Sequence, residues 1–322
     1  MEQSAGIETV ALSAFARSVC AVIVTYYPDS AIVDRIHRVA RQVGQTLVVD
    51  NGSASSVIGA IRVLSDKLTM HLITNPTNQG IASALNAGTR WAASQGFHWV
   101  LTLDQDTMVA PDMIDTFEAV VRSYRPSAPW GVIGSNYRDK VNGKLFFGPT
   151  VSDGLASSKI VSVLTSGSLI SVKAFETIGG FRDDFFVDCV DHEYCLHARA
   201  CGFQVVVTSE PIMQHEIGHL TEHQVLWKKV RTSNHSPLRE YFRTRNSIVL
   251  IREYYAREPL WMLKYLWAWL KSVVLIFLFE KDRKQKLANI MRGCADGVFG
   301  RTGLPGTVGT NAPTDSPPAQ AD

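Results

Sequence analysis

Several features that would mark a common protein class are scarce or missing here. Five cysteines (Cys20, Cys189, Cys195, Cys201 and Cys294) form no C-x-x-C pair and no zinc-ligand spacing. An odd, unpaired set suits a reducing cytoplasm. There is almost no charge excess: 32 Lys and Arg stand against 30 Asp and Glu, a net +2. That excludes the strong basic bias of a nucleic-acid binder. Neither the G-x-G-x-x-G dinucleotide fingerprint nor the P-loop pattern occurs, which argues against a nicotinamide dehydrogenase and a P-loop kinase. No internal repeat is visible. Met1 to Ser18 has early acid and no apolar core, so no secretory signal is expected and 1–18 reads as a flexible N-terminus.

What is present is a globular composition, 46% hydrophobic and 19% charged over 322 residues, long enough for a full core. The most informative stretch is Trp99-Val100-Leu101-Thr102-Leu103-Asp104-Gln105-Asp106. An apolar run of this length reads as a buried strand. Ligands of open α/β sheets bind beyond the carboxyl ends of such strands. Residues i and i+2 of an extended segment point the same way, so Asp104 and Asp106 can face one ligand. Two hard oxygen ligands suit Mg²⁺ or Mn²⁺ completed by substrate phosphates. A solvated loop after a strand is the plainer alternative.

The same punctuation recurs upstream. Val19 to Thr25 reads as a first strand ending at Tyr26. Asp29 is placed to cap a helix from Ser30 to about Val43. Thr46 to Val49 is a strand ending in Asp50-Asn51-Gly52-Ser53, and Leu72 to Thr74 is one ending in Asn75 through Gly80. Ile81 to Ala93 and Met113 to Val121 read as helices, and Ile133 begins a fifth strand. This βαβ alternation predicts an α/β fold with a mostly parallel central sheet. Four polar strand ends on one edge make a site.

Further on, Ile160 to Leu164 and Ser168 to Val172 read as strands around Thr165-Ser166-Gly167. Asp188, Asp191 and Glu193 cluster at the start of a helix running to Gly202, where the helix dipole favours acids. Helix support is the plainer reading of Glu193. His215-Glu216-Ile217-Gly218-His219 is a literal H-E-x-x-H. Pro211 before it and Gly218 inside it oppose the continuous helix that zinc needs, so a loop with His215 near an anion, or a structural histidine, is favoured over a zinc hydrolase through His215 and His219. Arg239 to Tyr255 reads as a helix. Trp261 to Phe279 is apolar and aromatic, broken by Lys264 and Lys271. It is long enough to span a bilayer, but two lysines make an interfacial helix the better fit, with Lys281, Arg283, Lys284, Lys286 and Arg292 following. A buried helix is the competitor. From about Gly300 the chain is rich in Gly, Pro, Thr and Ser and reads as a disordered tail.

These motifs together resemble an inverting family-2 glycosyltransferase of the GT-A fold, from about Val19 to Gly303. The general ones are Val24-Thr25-Tyr26, Val49-Asp50-Asn51-Gly52-Ser53, Asn75 through Gly80 and Asp104-Gln105-Asp106. Within that class, Asp188 through Glu193, Arg239 through Asn246 and Leu278 through Gly297 resemble bacterial rhamnosyltransferases using dTDP-L-rhamnose. Two positions depart from the family: Val190 stands where Glu commonly precedes the catalytic Asp, and His197 where Arg is usual.

The resemblance implies a catalytic domain over 19–237, a helical membrane-associating segment over 238–299 and a tail over 300–322. It implies Asp191 as the base, with Mg²⁺ or Mn²⁺ held by Asp106, with Asp104 and His215 near it. It implies a nucleotide site of Thr25, Tyr26, Asp50, Asn51, Asn78, Gly80 and Asp104, in which Asp50 reads the thymine edge. Ser166, Gly167, Asp188, His192 and Glu193 would border the donor sugar or acceptor. The expected reaction moves L-rhamnose from dTDP-β-L-rhamnose, with inversion, to a hydroxyl of a growing surface polysaccharide or lipid-linked glycan. The expected setting is the cytoplasmic face of the cell membrane, on an anionic lipid surface, with self-association left open and no nucleic acid. A family-2 enzyme using a UDP- or GDP-sugar, a zinc hydrolase and a catalytically inert sugar-binding protein remain as alternatives.

Overall fold

The computed structural model describes residues 11–67, 70–139, 145–147, 154–157, 160–215, 221–225 and 228–302. In chain order, α1 (Ala14–Arg17) leads into β1 (Val19–Thr25), α2 (Ile32–Ala40), β2 (Gln45–Asp50), α3 (Ser55–Lys67), β3 (Met70–Thr74), α4 (Ile81–Ser94) and β4 (Trp99–Asp104). Then come β5 (Met108–Val109), α5 (Met113–Ser123), β6 (Trp130–Asp139), β7 (Ala156–Ser157), β8 (Ser168–Ser171), α6 (Val172–Ile178), α7 (Val190–Ala200) and β9 (Gln204–His215). An antiparallel pair, β10 (Thr221–Val225) and β11 (Lys228–Thr232), precedes α8 (Pro237–Tyr254), α9 (Pro259–Phe279) and α10 (Arg283–Phe299).

Every residue of β1 is buried, as a strand covered on both faces requires. It pairs in parallel with β2 on one side and β4 on the other, and β2 pairs in parallel with β3. The sheet runs β3-β2-β1-β4-β8-β6-β9-β5, with β7 on β9. β8 is antiparallel to β4 and β6, and β6 and β9 are again parallel. The fold is thus α/β with a mixed, largely parallel sheet. One face packs on α4, α6, α7 and α8 through Val22, Leu85, Phe175, Tyr194 and Leu250. The other packs on α2, α3 and α5 through Ile23, Ile36, Ile61 and Phe117. The register aligns Thr25 with Asp50, Asp50 with Thr74, and Val24 with Asp104. The four polar strand ends therefore lie on one edge.

Local expectations fail in instructive places. The helix expected from Ser30 is Ile32–Ala40, and its N-cap is Ala31 without a side-chain bond. Asp29 instead pairs with Arg35 at 2.7 Å, which lowers the pKa of its carboxyl. Residues 160–164 are not a strand: the Leu164 and Thr165 carbonyls accept from the Ser168 and Thr102 hydroxyls, and Val163 O from Cys195 Sγ. Side chains have replaced the ladder. Ser55–Lys67 is a helix that the sequence reading passed over, with Ile58, Ile61 and Leu64 buried.

The helices of residues 238–299 pack on the rest of the fold. Val249, Leu250 and Tyr254 of α8 and Met262 of α9 belong to the core under the sheet. α10 packs close on α8, where a Cβ on Gly293 would come within 2.6 Å of Tyr241 O. Tyr241 Oη donates to Asp296 across that contact at 2.9 Å. Lys286, expected in a lipid-facing basic cluster, is only 4% exposed and pairs with buried Glu280 at 2.7 Å. Only one side of α9 is bare: Leu260, Leu263, Trp267, Leu270, Val274, Phe277 and Leu278 are exposed, together with Lys264 and Lys271. By length and composition α9 is apolar enough to cross a membrane. The tail beyond residue 302 lies outside the described residues.

Candidate active site

The strand ends of β1 and β2 are tied to each other. Asp50 is fully buried and accepts four hydrogen bonds, from Thr25 Oγ1, Ser53 Oγ, Ser53 N and Gly52 N. A carboxylate has about four lone-pair positions, so Asp50 is saturated in this structure. To read a base edge it needs one donor to turn away; of the four donors only the Ser53 and Thr25 hydroxyls can rotate, and the Ser53 oxygen is also held by Tyr27 N at 2.7 Å. Asn51 continues the network. Its amide donates to Asn78 Oδ1 and Gly80 O, and its Oδ1 accepts from Asn75 and from Gln79 N. Asn78 and Gly80, expected to pack at the nucleotide, thus brace the loop after β3. Gly80 sits at φ +84°, and a Cβ there would meet Phe186 O at 2.6 Å, so the backbone of another loop fills that space. Tyr26 N donates to Gln105 Oε1 at 2.8 Å, joining this network to the acidic loop.

Beyond β4 lies a cavity of about 570 Å³. Asp104, Ser166, Asp188, Asp191 and His192 line it, so five of the expected residues converge there. Arg239 and Arg243 of α8 and Tyr265, Ala268 and Trp269 of α9 complete its wall. Burial raises the Asp104 pKa to about 7, reinforced by the charges of Asp106 and Asp191 and opposed by Arg239. Ser166 Oγ holds Asp104 N at 2.9 Å and bonds Thr107 at 2.6 Å. Asp106 is exposed beside the cavity. Asp191 Oδ1 accepts from His192 N at 2.8 Å, and His192 Nδ1 bonds Ser162 Oγ at 2.7 Å. Asp188 forms a two-bond pair with Arg239, both at 3.0 Å.

The loop before α7 is strained. Phe186, Asp188 and Cys189 all have positive φ, near 60°, a conformation that non-glycine residues hold only when their surroundings over-determine it. α8 supplies that constraint. Asn246 Nδ2 donates to the carbonyls of Phe185, Val187 and Asp188, each at 2.9 Å. Buried Arg245 donates to Asp184 O and to Asn246 Oδ1. These two residues lie in the Arg239–Asn246 stretch, which sequence reading singled out without assigning a role.

Other expected residues do not reach the cavity. Glu193 turns into the core, accepts from Tyr254 Oη at 2.9 Å, and has its pKa raised to about 7 by burial. Gly167 packs on Met213, where a Cβ would be 2.3 Å from Sδ. His215 ends β9, so the zinc reading fails at its first ligand, which lies on a strand rather than a helix; His219 lies outside the described residues. The pairing of Gln214 with Met108 brings the backbone of His215 towards the loop holding Asp106. Among the described residues no group of three or more His, Cys, Asp or Glu could hold a metal ion alone. A pair of carboxylates that leaves the remaining positions to phosphate oxygens is nevertheless a donor set for Mg²⁺ or Mn²⁺, and Asp104 with Asp106 provides one.

Sequence reading gave Tyr265 and Trp269 no place in the site. The signal was available: Trp261, Tyr265 and Trp269 recur every four residues, on one helical face, opposite the bare stripe.

Residues 20–176 match the model of glycosyl transferase family 2. Over 306 residues the chain is 27% identical to dTDP-rhamnosyl transferase RfbF of Shigella flexneri, covering 89% of this chain and 97% of that protein. Among solved structures, S. aureus TarS superposes with a TM-score of 0.56 at 14% identity, over 87% of this chain and 48% of that one. This chain therefore spans about half the length of TarS. Mannosyltransferase PcManGT from Pyrobaculum calidifontis, solved with GDP-Man and Mn²⁺, gives 0.51 at 14% identity, over 88% of each chain. These two likenesses speak for the fold. With the family match lying across the strands that carry Asp50 and Asp104, the chain is similar to glycosyl transferase family 2 over residues 20–176 and, over most of its length, to a dTDP-rhamnosyl transferase.

Proposed function

We propose that the protein transfers L-rhamnose from dTDP-β-L-rhamnose, with inversion, to a hydroxyl of a growing surface polysaccharide or lipid-linked glycan. The observation that carries this reading is the shared cavity: Asp104 at the end of β4 and Asp191 at the start of α7 line the same space. The likeness to RfbF, named for dTDP-rhamnosyl transfer, supports the donor.

In this reading the nucleoside lies along Thr25, Tyr26, Asp50 and Asn51, and the diphosphate lies at Asp104 and Asp106. Asp104 and Asp106, with His215 close to their loop, would hold Mg²⁺ or Mn²⁺. When bound, the ion stabilises charge developing on the departing diphosphate. Asp191 accepts the proton of the acceptor hydroxyl. The acceptor oxygen then forms a bond to the anomeric carbon on the face opposite the leaving group. The carbon–oxygen bond to phosphate breaks, and its electron pair leaves with dTDP. Arg239, paired with Asp188, and Arg243, paired with Glu240, face the same space. The sugar passes through an oxocarbenium-like state, which the Asp104 and Asp191 carboxylates stabilise.

The bare side of α9, with Lys264 and Lys271 among its apolar residues and Lys281, Arg283 and Lys284 exposed beyond it, supports peripheral binding to an anionic membrane surface. A UDP- or GDP-sugar donor is the second reading, favoured by the likeness to PcManGT with GDP-Man. A donor panel tests the choice. Nucleotide release by the purified protein should be faster from dTDP-L-rhamnose than from UDP-glucose or GDP-mannose. Preference for either of the latter keeps the chemistry and replaces the donor.

A further inference from the structure

Part of the wall of the cavity belongs to α9, which packs on Cys189 and His192 on either side of Asp191, and none of Thr25, Tyr26, Asp50 or Asn51 lines that space. The cavity therefore begins at Asp104 and extends away from the strand ends expected to hold the nucleoside. A hydroxyl that surrenders its proton to Asp191 must enter this space and meet α9. Tyr265, Ala268 and Trp269 are what it meets.

These side chains are held for contact through their faces. The Tyr265 hydroxyl is engaged by Cys189 Sγ at 3.0 Å and Ser247 Oγ at 2.8 Å, which fixes the ring in the cavity wall. Trp261 stacks on Tyr265 at 5.2 Å and 12°. The His192 ring packs edge-on against both, at 5.3 and 5.4 Å. The residue beside Asp191 is thereby keyed to the same aromatic stack. Trp269 is half-buried, and its indole N–H has no hydrogen-bond partner among the described residues. Ala268, exposed at the edge of the bare stripe and lining the cavity, leaves room there. Aromatic faces beside a few polar groups are the anatomy of a pocket for a small amphipathic ligand. A pyranose ring fits that description, with C–H groups on its faces and hydroxyls at its rim.

We propose that the inner face of α9 is the acceptor subsite, where Tyr265 and Trp269 receive a pyranose ring of the acceptor and turn one of its hydroxyls towards Asp191. This rests on the assignment of Asp191 as base. The outer face of the same helix carries the bare apolar stripe, so one element would contact both acceptor and membrane.

The test uses saturation-transfer NMR on the full-length protein with dTDP bound. Methyl β-D-glucopyranoside and methyl α-L-rhamnopyranoside serve as probes, because neither has an alkyl chain for the outer stripe. Trp269→Ala should weaken binding of the better probe at least tenfold, and Ala268→Leu should do so by filling the space. Trp269→Phe, which keeps a ring, should weaken it less. Calorimetric dTDP affinity should stay within twofold throughout, which also establishes that each variant is folded. Unchanged probe binding in both Trp269→Ala and Ala268→Leu overturns the proposal, as does equal binding of the acyclic polyol sorbitol. Asp191→Asn separates the two claims. A variant that binds the probe as wild type does but transfers sugar at the wild-type rate removes Asp191 as base and leaves the subsite in place.

Discussion

The two halves of the site are built on opposite principles. Along the edge of β1 and β2 the polar groups satisfy one another: Asp50 takes four donors and Asn51 links four partners. Around α7 to α9 the chain holds three residues at positive φ in one loop, against one, Tyr27, beyond β1, and Glu240 Oε1 and Trp269 Nε1 are buried without partners among the described residues, as Arg35 Nε and Thr46 Oγ1 are on the other side. A saturated network is rigid before any ligand arrives. Strain and unmet hydrogen bonds cost stability and gather where chemistry needs a defined geometry. The first half is suited to presenting a fixed surface to the donor, the second to aiming an acid at the acceptor.

The sharpest way to break this contrast is at Asn246, which ties the strained loop from α8. Asn246→Ala should lower kcat by roughly 10²-fold, the scale of misplacing a catalytic group by an ångström, while dTDP affinity stays near wild type. Equal losses in kcat and in dTDP affinity would mean that the two halves fold as one and that the contrast is false.

A smaller effect should appear at Glu193. Its carboxyl is raised from 4.5 to about 7 by burial, so between those values the folded protein binds more protons than the unfolded chain. Stability is then fullest below pH 4.5 and falls as the pH rises towards 7. Among the contributions to the melting profile, Glu193→Gln should remove this decline, visible as a flatter Tm between pH 5 and pH 8. An unchanged slope would show that Glu193 is charged in the fold.

The smallest effect concerns α9 and its flank. Replacing Lys281, Arg283 and Lys284 with Gln should lower co-sedimentation with anionic vesicles, by about 1 kcal/mol per charge close to the surface, and leave stability unaltered. Vesicle binding that ignores all three charges would point to the stripe packing on another protein.

The halves also differed in how far the sequence disclosed them. β1, β2 and β4 announce themselves because each is an apolar run closed by a polar residue, and the parallel register then sets those residues on one edge without further information. Asp191 was legible only through family likeness, since nothing local distinguishes it from Glu193 two residues on. Which of the two faces the cavity is decided by the left-handed turn at Asp188 and Cys189, and that turn is set by Asn246, over fifty residues away. The 160–164 segment was misread because its Leu164 and Val163 carbonyls accept from the Ser168 hydroxyl and the Cys195 thiol, which no periodicity reveals. Lys286 looked like one of a basic run until α10 folded back and buried it against Glu280. Contacts between distant segments left no trace in either pattern.

The central claim is that donor binding belongs to the strand-end half and proton removal to Asp191. Asp191→Asn preserves shape and removes basicity, so one variant measured two ways addresses it. Turnover of dTDP-L-rhamnose onto a pyranoside acceptor should fall by roughly 10²–10⁴-fold, the usual scale of general-base catalysis, with calorimetric dTDP affinity unchanged. Near-wild-type transfer by the folded variant, or loss of dTDP binding along with activity, would contradict it.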